Sequence, residues 1–233
     1  MKQKFVSAVL VAAGSSRRMG GQNKLLLPLA GEPVVVHTAR AFEQCAEVDE
    51  IIVVTRAENI PQFEALMVRA GIGKCRRVTA GGSTRQQSVL NGVMAADRAC
   101  THYAIHDGAR PLCTPELLRH IIEDAVRYGA ATAGVPAKDT IKVVDSQHMI
   151  LDTPDRAALY HTQTPQVFEA ARYRAAAETA RAQGKDFTDD CQLLENSGVR
   201  VYMSEGAYTN IKITTPEDLL FARAILSERR KRM

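Results

Sequence analysis

The hydrophobic positions of this chain fall into short apolar runs separated by amphipathic stretches. Phe5 to Ala12 is a continuous apolar run carrying Val6, Val9 and Val11, the pattern of a strand covered on both faces, and it gives way at Gly14. Pro33 opens a helical pattern that continues through Phe42. Ile51 to Val54 is a second all-apolar strand, and another helix follows around Gln62 to Arg69. A strand near Arg76 to Val78 leads to Ala80-Gly81-Gly82-Ser83, where Ser83 is placed to cap a helix containing Val89 and Met94. The strand Tyr103 to His106 stops at Asp107-Gly108. Thr114-Pro115-Glu116 combines a cap with proline at the first helical position, which predicts a helix to Tyr128, followed by a strand near Ala130 to Val135. Strands alternating with helices predict an α/β fold with a mostly parallel twisted sheet flanked by helices. Such sheets bind ligands beyond the carboxyl ends of their strands, so functional residues are expected just after each strand.

Between Lys138 and Thr164 the texture changes. Ile141 to Val144, a polar turn at Asp145-Ser146-Gln147 and Met149 to Leu151 read as a hairpin. A protruding two-stranded arm is weakly stable by itself, so residues 138–160 are expected to pack on a partner subunit and serve dimerisation. Helical patterns return at Ala170 to Ala182 and Thr188 to Asn196, then a strand at Val199 to Met203, the segment Asn210 to Thr214, and a last helix from Pro216. With no internal repeat or low-complexity linker, residues 1–233 read as one domain.

Composition narrows the function classes. Of the 233 residues 45% are hydrophobic and 24% charged, enough apolar side chain to bury a core without staples. The net charge of +4 comes partly from the closing run Arg229, Arg230, Lys231, Arg232, which reads as a solvated end. There is no Trp and few aromatic residues, hence no row of rings for stacking bases, and nucleic acid is not the expected partner. Cys45, Cys75, Cys100, Cys113 and Cys191 are odd in number and form no C-x-x-C pair, which disfavours a disulfide framework or a zinc site. Lys2 and Lys4 before the apolar run to Ala13 imitate a secretory signal, but a strand feeding a phosphate loop accounts for the same residues. No other apolar stretch approaches a membrane span. A cytoplasmic protein with no membrane partner and a small anionic substrate is the expectation.

The loop after the first strand reads Ala12-Ala13-Gly14-Ser15-Ser16-Arg17-Arg18-Met19-Gly20, with Lys24 shortly after. Small residues let backbone N–H groups approach a polyphosphate, and fixed cations stabilise charge on it. The loop carries neither G-x-G-x-x-G nor G-K-[ST], so it is neither a dinucleotide fingerprint nor a Walker loop. Gly81-Gly82-Ser83 through Ser88 offers close-approach backbone and hydroxyls. His106-Asp107-Gly108-Ala109-Arg110-Pro111 places a carboxylate and an arginine at another strand end, and Asp107 suits Mg²⁺ or another hard divalent cation, which takes one or two carboxylates beside phosphate oxygens. His106 reads as a structural histidine, since no Ser or Cys neighbours it in a triad pattern.

These motifs, taken in order, resemble the 2-C-methyl-D-erythritol 4-phosphate cytidylyltransferases over nearly the whole chain. The likeness rests on Ala12-Ala13-Gly14-Ser15-Ser16-Arg17-Arg18-Met19 with Lys24, His106 to Pro111, Asp139-Thr140-Ile141-Lys142, Asp155-Arg156, Thr164-Pro165-Gln166, Thr188-Asp189-Asp190 and Asn210 to Thr214. Val11, Ser16 and Asn23 depart from residues common in that family, and Thr209 stands where some members are acidic. The resemblance implies a Rossmann-like nucleotidyltransferase fold and transfer of CMP from CTP to the 4-phosphate of methylerythritol phosphate, with pyrophosphate leaving. It implies Arg18, Lys24, Asp107 and Lys212 as catalytic residues, with Asp107 also the metal ligand. Ala12, Ala13, Gly14, Ser15, Gly81, Gly82, Ser83 and Ser88 would hold the nucleotide. Arg110, Thr140, Arg156, Thr164, Thr188 and Lys212 would hold the polyol phosphate, with the arm of a homodimer supplying Thr140 and Arg156 across the interface. The alternatives are a D-ribitol-5-phosphate cytidylyltransferase of the same mechanism or, in another class, a nucleotide-binding regulator without turnover.

Overall fold

The computed structural model describes residues 4–14 and 23–231. In chain order the elements are β1 (Val6–Val11), β2 (Pro28–Leu29), β3 (Glu32–Pro33), α1 (Val34–Gln44), β4 (Glu50–Thr55), α2 (Ile60–Arg69), β5 (Cys75–Ala80), α3 (Arg85–Ala95), β6 (His102–Asp107), α4 (Pro115–Tyr128) and β7 (Ala130–Pro136). They continue as β8 (Val143–Val144), β9 (Ile150–Asp152), β10 (Tyr160–Glu169), α5 (Ala170–Ala182), α6 (Asp190–Glu195), β11 (Tyr202–Glu205) and α7 (Pro216–Lys231). The main sheet has seven strands in the order β11-β7-β10-β6-β1-β4-β5. All neighbours are parallel except β10, which runs antiparallel to both β6 and β7.

Alternation inside the apolar runs divides the interior in two. Ala8, Leu10, Ile51 and Val53 face a core shared with α1, α2 and α4, whereas Val9, Ile52 and Val54 face a second core with α3, α5 and α6. Where such a strand carries polar side chains they turn to each other, the Ser7 hydroxyl donating to Glu50 Oε1 at 2.6 Å between β1 and β4. Each such Leu or Ile contributes about 1.5–3 kcal/mol by leaving water. The helix α3 lies so close to the sheet that a Cβ on Gly92 would stand 2.5 Å from Val9 Cγ1 and 2.7 Å from Val54 Cγ2. The helix α4 begins and ends where its sequence signals place it. The Thr114 hydroxyl accepts from Leu117 N–H at 3.2 Å, Pro115 follows, and Gly129 takes the left-handed conformation with φ 86° beyond Tyr128.

Three local expectations are corrected, and one strand was not anticipated. The cap of α3 is Thr84, whose hydroxyl accepts from Gln87 N–H at 3.1 Å, and not Ser83. The helix α6 starts at Asp190 with Asp189 as its cap, two residues later than expected, and β11 lies at Tyr202–Glu205 rather than Val199 to Met203. The strand β10, ten residues long and central in the sheet, reads in sequence as a polar stretch with a proline. Its Gln163, Thr164 and Gln166 are buried because each finds a polar partner on a loop or neighbouring strand: Gln163 donates to Ala207 O (2.9 Å), Thr164 bonds His106 Nδ1 (3.0 Å), and Gln166 donates to Asp189 (2.6 Å). The hairpin forms with its first strand shortened to Val143–Val144 and its second moved by one residue to Ile150–Asp152, β8 pairing antiparallel with β9, and Val143, Val144, Met149, Ile150 and Leu151 are exposed on it.

Candidate active site

The chain runs from β1 outward through β4 and β5, then returns to β6 on the other side of β1. That reversal opens a crevice at the carboxyl ends of β1 and β6. The loops around it are tied to the sheet by backbone bonds: Ala12 N to Val54 O (2.7 Å), Gly81 N to Thr55 O (2.7 Å) and Gly108 N to Val11 O (2.9 Å). Glycine is required at position 81, since a Cβ there would lie 2.6 Å from Ala13 Cβ and 2.8 Å from Ser88 Oγ.

A cavity of about 390 Å³ occupies the crevice. Ala12, Ala13 and Gly14 form one wall, Gly82, Ser83, Thr84 and Ser88 another, with Lys24, Asp107 and Lys212 also lining it. Ser88 shapes the loop it sits on, accepting from Gly82 N–H (3.1 Å) and donating to Thr84 O (2.9 Å). Gly81 packs behind this wall and does not line the cavity. A second cavity, about 460 Å³, adjoins the first and is lined by Arg110, Thr162, Thr164, Gln166, Thr188 and Gln192 among others. Arg85, Asp107 and Lys212 line both.

Asp107 is the only carboxylate on the first cavity among the described residues. Its Oδ2 meets Lys212 Nζ at 2.9 Å and Arg110 Nε at 3.4 Å. Burial would raise its pKa, but Lys212, Arg110 and the more distant Arg85 outweigh burial and hold it at about 2. Arg110 is anchored in turn by donating from Nη1 to Asn210 O at 2.7 Å. Asn210 is fully buried, its amide donating to Gln163 Oε1 (3.2 Å) and Thr164 O (2.9 Å), so the segment bearing Lys212 is fixed against β10.

His106 has the structural role expected of it. Burial pushes its pKa down to about 4, so the ring is neutral at pH 7. Nε2 lies 3.3 Å from Arg110 O, a group that can only accept, which assigns the ring proton to Nε2. Nδ1 then accepts from the Thr164 hydroxyl at 3.0 Å, and the same hydroxyl accepts from Asp107 N–H at 3.0 Å. Thr164 lines the second cavity, yet its hydroxyl is committed, the proton to His106 and the oxygen to the Asp107 N–H.

Of the sequence-predicted site residues, the fold gathers Ala12, Ala13, Gly14, Lys24, Gly82, Ser83, Ser88, Asp107, Arg110, Thr164, Thr188 and Lys212 around the two cavities. Ser15 and Arg18 lie outside the described residues. Thr140 and Arg156 are exposed on the arm and line neither cavity; Arg156 Nη1 donates to Lys138 O at 3.1 Å. Thr209 is also away from both, accepting from Arg229 at 3.1 Å. Sequence reasoning missed Arg85, Gln166 and Gln192. For Arg85 a signal existed, a cation in the first turn of a helix that follows a close-approach glycine pair.

Among the described residues no cluster of three His, Cys, Asp or Glu side chains could hold a metal, and no helix is long and apolar enough to cross a membrane. One carboxylate flanked by two cations fits a hard divalent ion only if that ion brings most of its oxygen ligands with it, as a nucleotide-bound Mg²⁺ does.

The sequence profile of the family described as 2-C-methyl-D-erythritol 4-phosphate cytidylyltransferase matches residues 6–228. The chain is 47% identical to the enzyme of that name from Caldanaerobacter subterraneus subsp. tengcongensis, over 95% of this chain and 98% of that one. It is 43% identical to that of Dehalococcoides mccartyi, over 97% of both. Its fold is similar to the crystal structure of 4-diphosphocytidyl-2C-methyl-D-erythritol synthase from Anaerococcus prevotii, with a TM-score of 0.86, 34% identity and 96% of each chain covered.

Proposed function

The chain belongs to the 2-C-methyl-D-erythritol 4-phosphate cytidylyltransferase family, and from that premise we propose that it transfers CMP from CTP to 2-C-methyl-D-erythritol 4-phosphate. The products are 4-diphosphocytidyl-2-C-methyl-D-erythritol and pyrophosphate, in the non-mevalonate route to isoprenoid precursors. The observation that carries this reading is the pair of adjoining cavities that share Asp107 and Lys212, one walled by the close-approach backbone at Ala12 to Gly14. Two anions bound there would meet at the cations the cavities share, Lys212 and Arg85.

An oxygen of the acceptor's phosphate attacks the α-phosphorus of CTP, a new P–O bond forms, and the bond to the β-phosphate oxygen breaks as pyrophosphate leaves. With a second pKa of about 6 the attacking phosphate is already mostly dianionic at pH 7, so no general base is needed. The absence of a triad at His106 accords with this. The barrier lies in bringing two anions together, which makes positioning and charge stabilisation the source of rate. Lys24 and Lys212, with Arg18 by family resemblance, face the α-phosphate, and Arg110 and Thr188 hold the acceptor's phosphate and hydroxyls. Asp107 keeps Lys212 and Arg110 in place and would also hold Mg²⁺, directly or through water, the ion neutralising the charge on the departing pyrophosphate. We place the enzyme in the cytoplasm.

Thr140 and Arg156 belong to the same site through a second copy of the chain. The apolar side chains of the exposed arm, Val143, Val144, Met149, Ile150 and Leu151, support a homodimer in which each arm completes its partner's acceptor pocket. The deciding experiment offers the purified protein each of four nucleoside triphosphates with Mg²⁺ and either methylerythritol phosphate or D-ribitol 5-phosphate, and measures pyrophosphate release. Turnover with CTP and methylerythritol phosphate is expected. Preference for ribitol phosphate would reassign the acceptor, and CTP binding without any product would point to a regulator.

A further inference from the structure

Three successive residues at the start of α3 reach across to the segment that walls the second cavity. Thr84 Oγ1 donates to Asp186 Oδ1 at 3.0 Å, and Gln86, itself buried, accepts from Phe187 N–H at 2.7 Å while donating to Lys185 O at 3.3 Å. Between them Arg85 Nη1 lies 2.6 Å from Oδ2 of Asp190, a carboxylate only 2% exposed. The other oxygen of Asp190 accepts from the Tyr173 hydroxyl at 2.8 Å, and Tyr173 is fully buried. Asp190 lines neither cavity, whereas Arg85 lines both and keeps a quarter of its side chain exposed.

This arrangement is costly unless it is used. Burying a carboxylate and a phenol to restrain one guanidinium spends desolvation energy that an apolar pair would not. What it delivers is an arginine whose negative partner is hidden behind it, so that the cavities meet the positive end of the pair. The restrained side chain also has less rotamer freedom left to lose when an anion binds.

We propose that Arg85, oriented by Asp190 and Tyr173, is a shared anion-binding residue that contacts both substrates where the two cavities meet and couples their binding. Its planar fork has more donors than Asp190 uses, so one guanidinium serves the polyphosphate of the nucleotide and the phosphate of the acceptor together. Each substrate then fixes Arg85 for the other, and by linkage the increase in affinity is reciprocal. The clasp of Thr84 and Gln86 holds the two walls at constant separation so that this contact is made by both ligands at once.

The inference rests on the functional reading above, and the test separates the two. If the wild-type protein gives no product from CTP and the acceptor, that reading fails before any variant is compared. If it turns over, Arg85→Gln is expected to raise KM for both substrates and lower kcat/KM for each by about tenfold or more, the scale of one lost charge-assisted hydrogen bond. Arg85→Lys should recover part of the loss, and Tyr173→Phe should shift both KM values the same way by a smaller factor. Because Arg85→Gln leaves Asp190 buried without its cation, the variant could unfold, so the double variant Arg85→Gln/Asp190→Asn removes both charges. It is expected to retain a wild-type melting transition and the same kinetic loss. Calorimetry adds a readout independent of turnover: in wild type a non-hydrolysable CTP analogue tightens acceptor binding, and in the double variant it does not. Wild-type kinetics in the double variant, or unchanged coupling by calorimetry, would reduce Arg85 to a counter-ion for Asp190 and overturn the proposal.

Discussion

His106 is fully buried between the Phe42 ring, 4.9 Å away by centroid, and the Thr164 hydroxyl, and it makes folded stability depend on pH in a calculable way. Its pKa falls from an ordinary 6.5 to about 4 because burial disfavours the charged ring. As pH drops below 6.5 the unfolded chain takes up a proton that the folded chain refuses until about pH 4. A depressed folded pKa therefore contributes stability that is present above 6.5 and is lost as pH falls toward 4. At about 1.36 kcal/mol per pH unit the full loss amounts to about 3 kcal/mol, of which about 2 kcal/mol falls between pH 7 and pH 5. The perturbation is His106→Gln, whose amide offers one donor and one acceptor to the same partners but does not titrate. Urea unfolding of both proteins at pH 7 and pH 5 is the assay. Wild type should lose about 2 kcal/mol more than the variant over that interval. Equal losses, within about 0.5 kcal/mol, would refute the assignment of a neutral His106 accepting from Thr164.

Lys24→Met and Lys212→Met should each lower kcat by about 10²–10³ with smaller changes in KM for CTP, the signature of charge stabilisation made mainly in the transition state, read by steady-state pyrophosphate release. Gly81→Ala should raise KM for CTP and cost about 1–3 kcal/mol in denaturant titration, because the added methyl is forced against Ala13 and Ser88. Asp107 stays ionised down to about pH 2; its stabilising contribution is present above the ordinary 3.8 and is lost only as pH falls toward 2. The acid limb of kcat/KM should accordingly follow the acceptor phosphate near pH 6, and a profile flat from pH 7 to 5 would contradict attack by the dianion. Mixing inactive Lys24→Ala with inactive Arg156→Ala protein should restore activity after subunit exchange, since half the sites of a mixed dimer are intact; no recovery would remove the arm from the active site.

Hydrophobic periodicity and punctuation determined much of this protein by themselves. The runs at β1 and β4 are apolar at most of the positions that a two-faced strand must bury, the buried exceptions being Ser7, Glu50 and Thr55, and Thr114, Pro115 and Gly129 bracket α4 through local backbone chemistry alone. The glycine-rich turns and the carboxylate and cations after β1, β5 and β6 are legible for the same reason, because in a parallel sheet they must lie on one edge. Pairing across long sequence distances was settled only by the tertiary structure. The strand β10 looks like a loop until its glutamines and Thr164 meet Asp189, Ala207 and His106, and Lys212 and Asp107 are 105 residues apart in sequence yet 2.9 Å apart in space. Arg85 carried a local signal as a cation after the glycine pair, but its restraint was hidden likewise, since that depends on a carboxylate and a phenol on two other helices. Local propensities and steric limits act within a few residues and are written in the sequence, whereas the burial of a charge is stabilised by partners that only folding brings within reach.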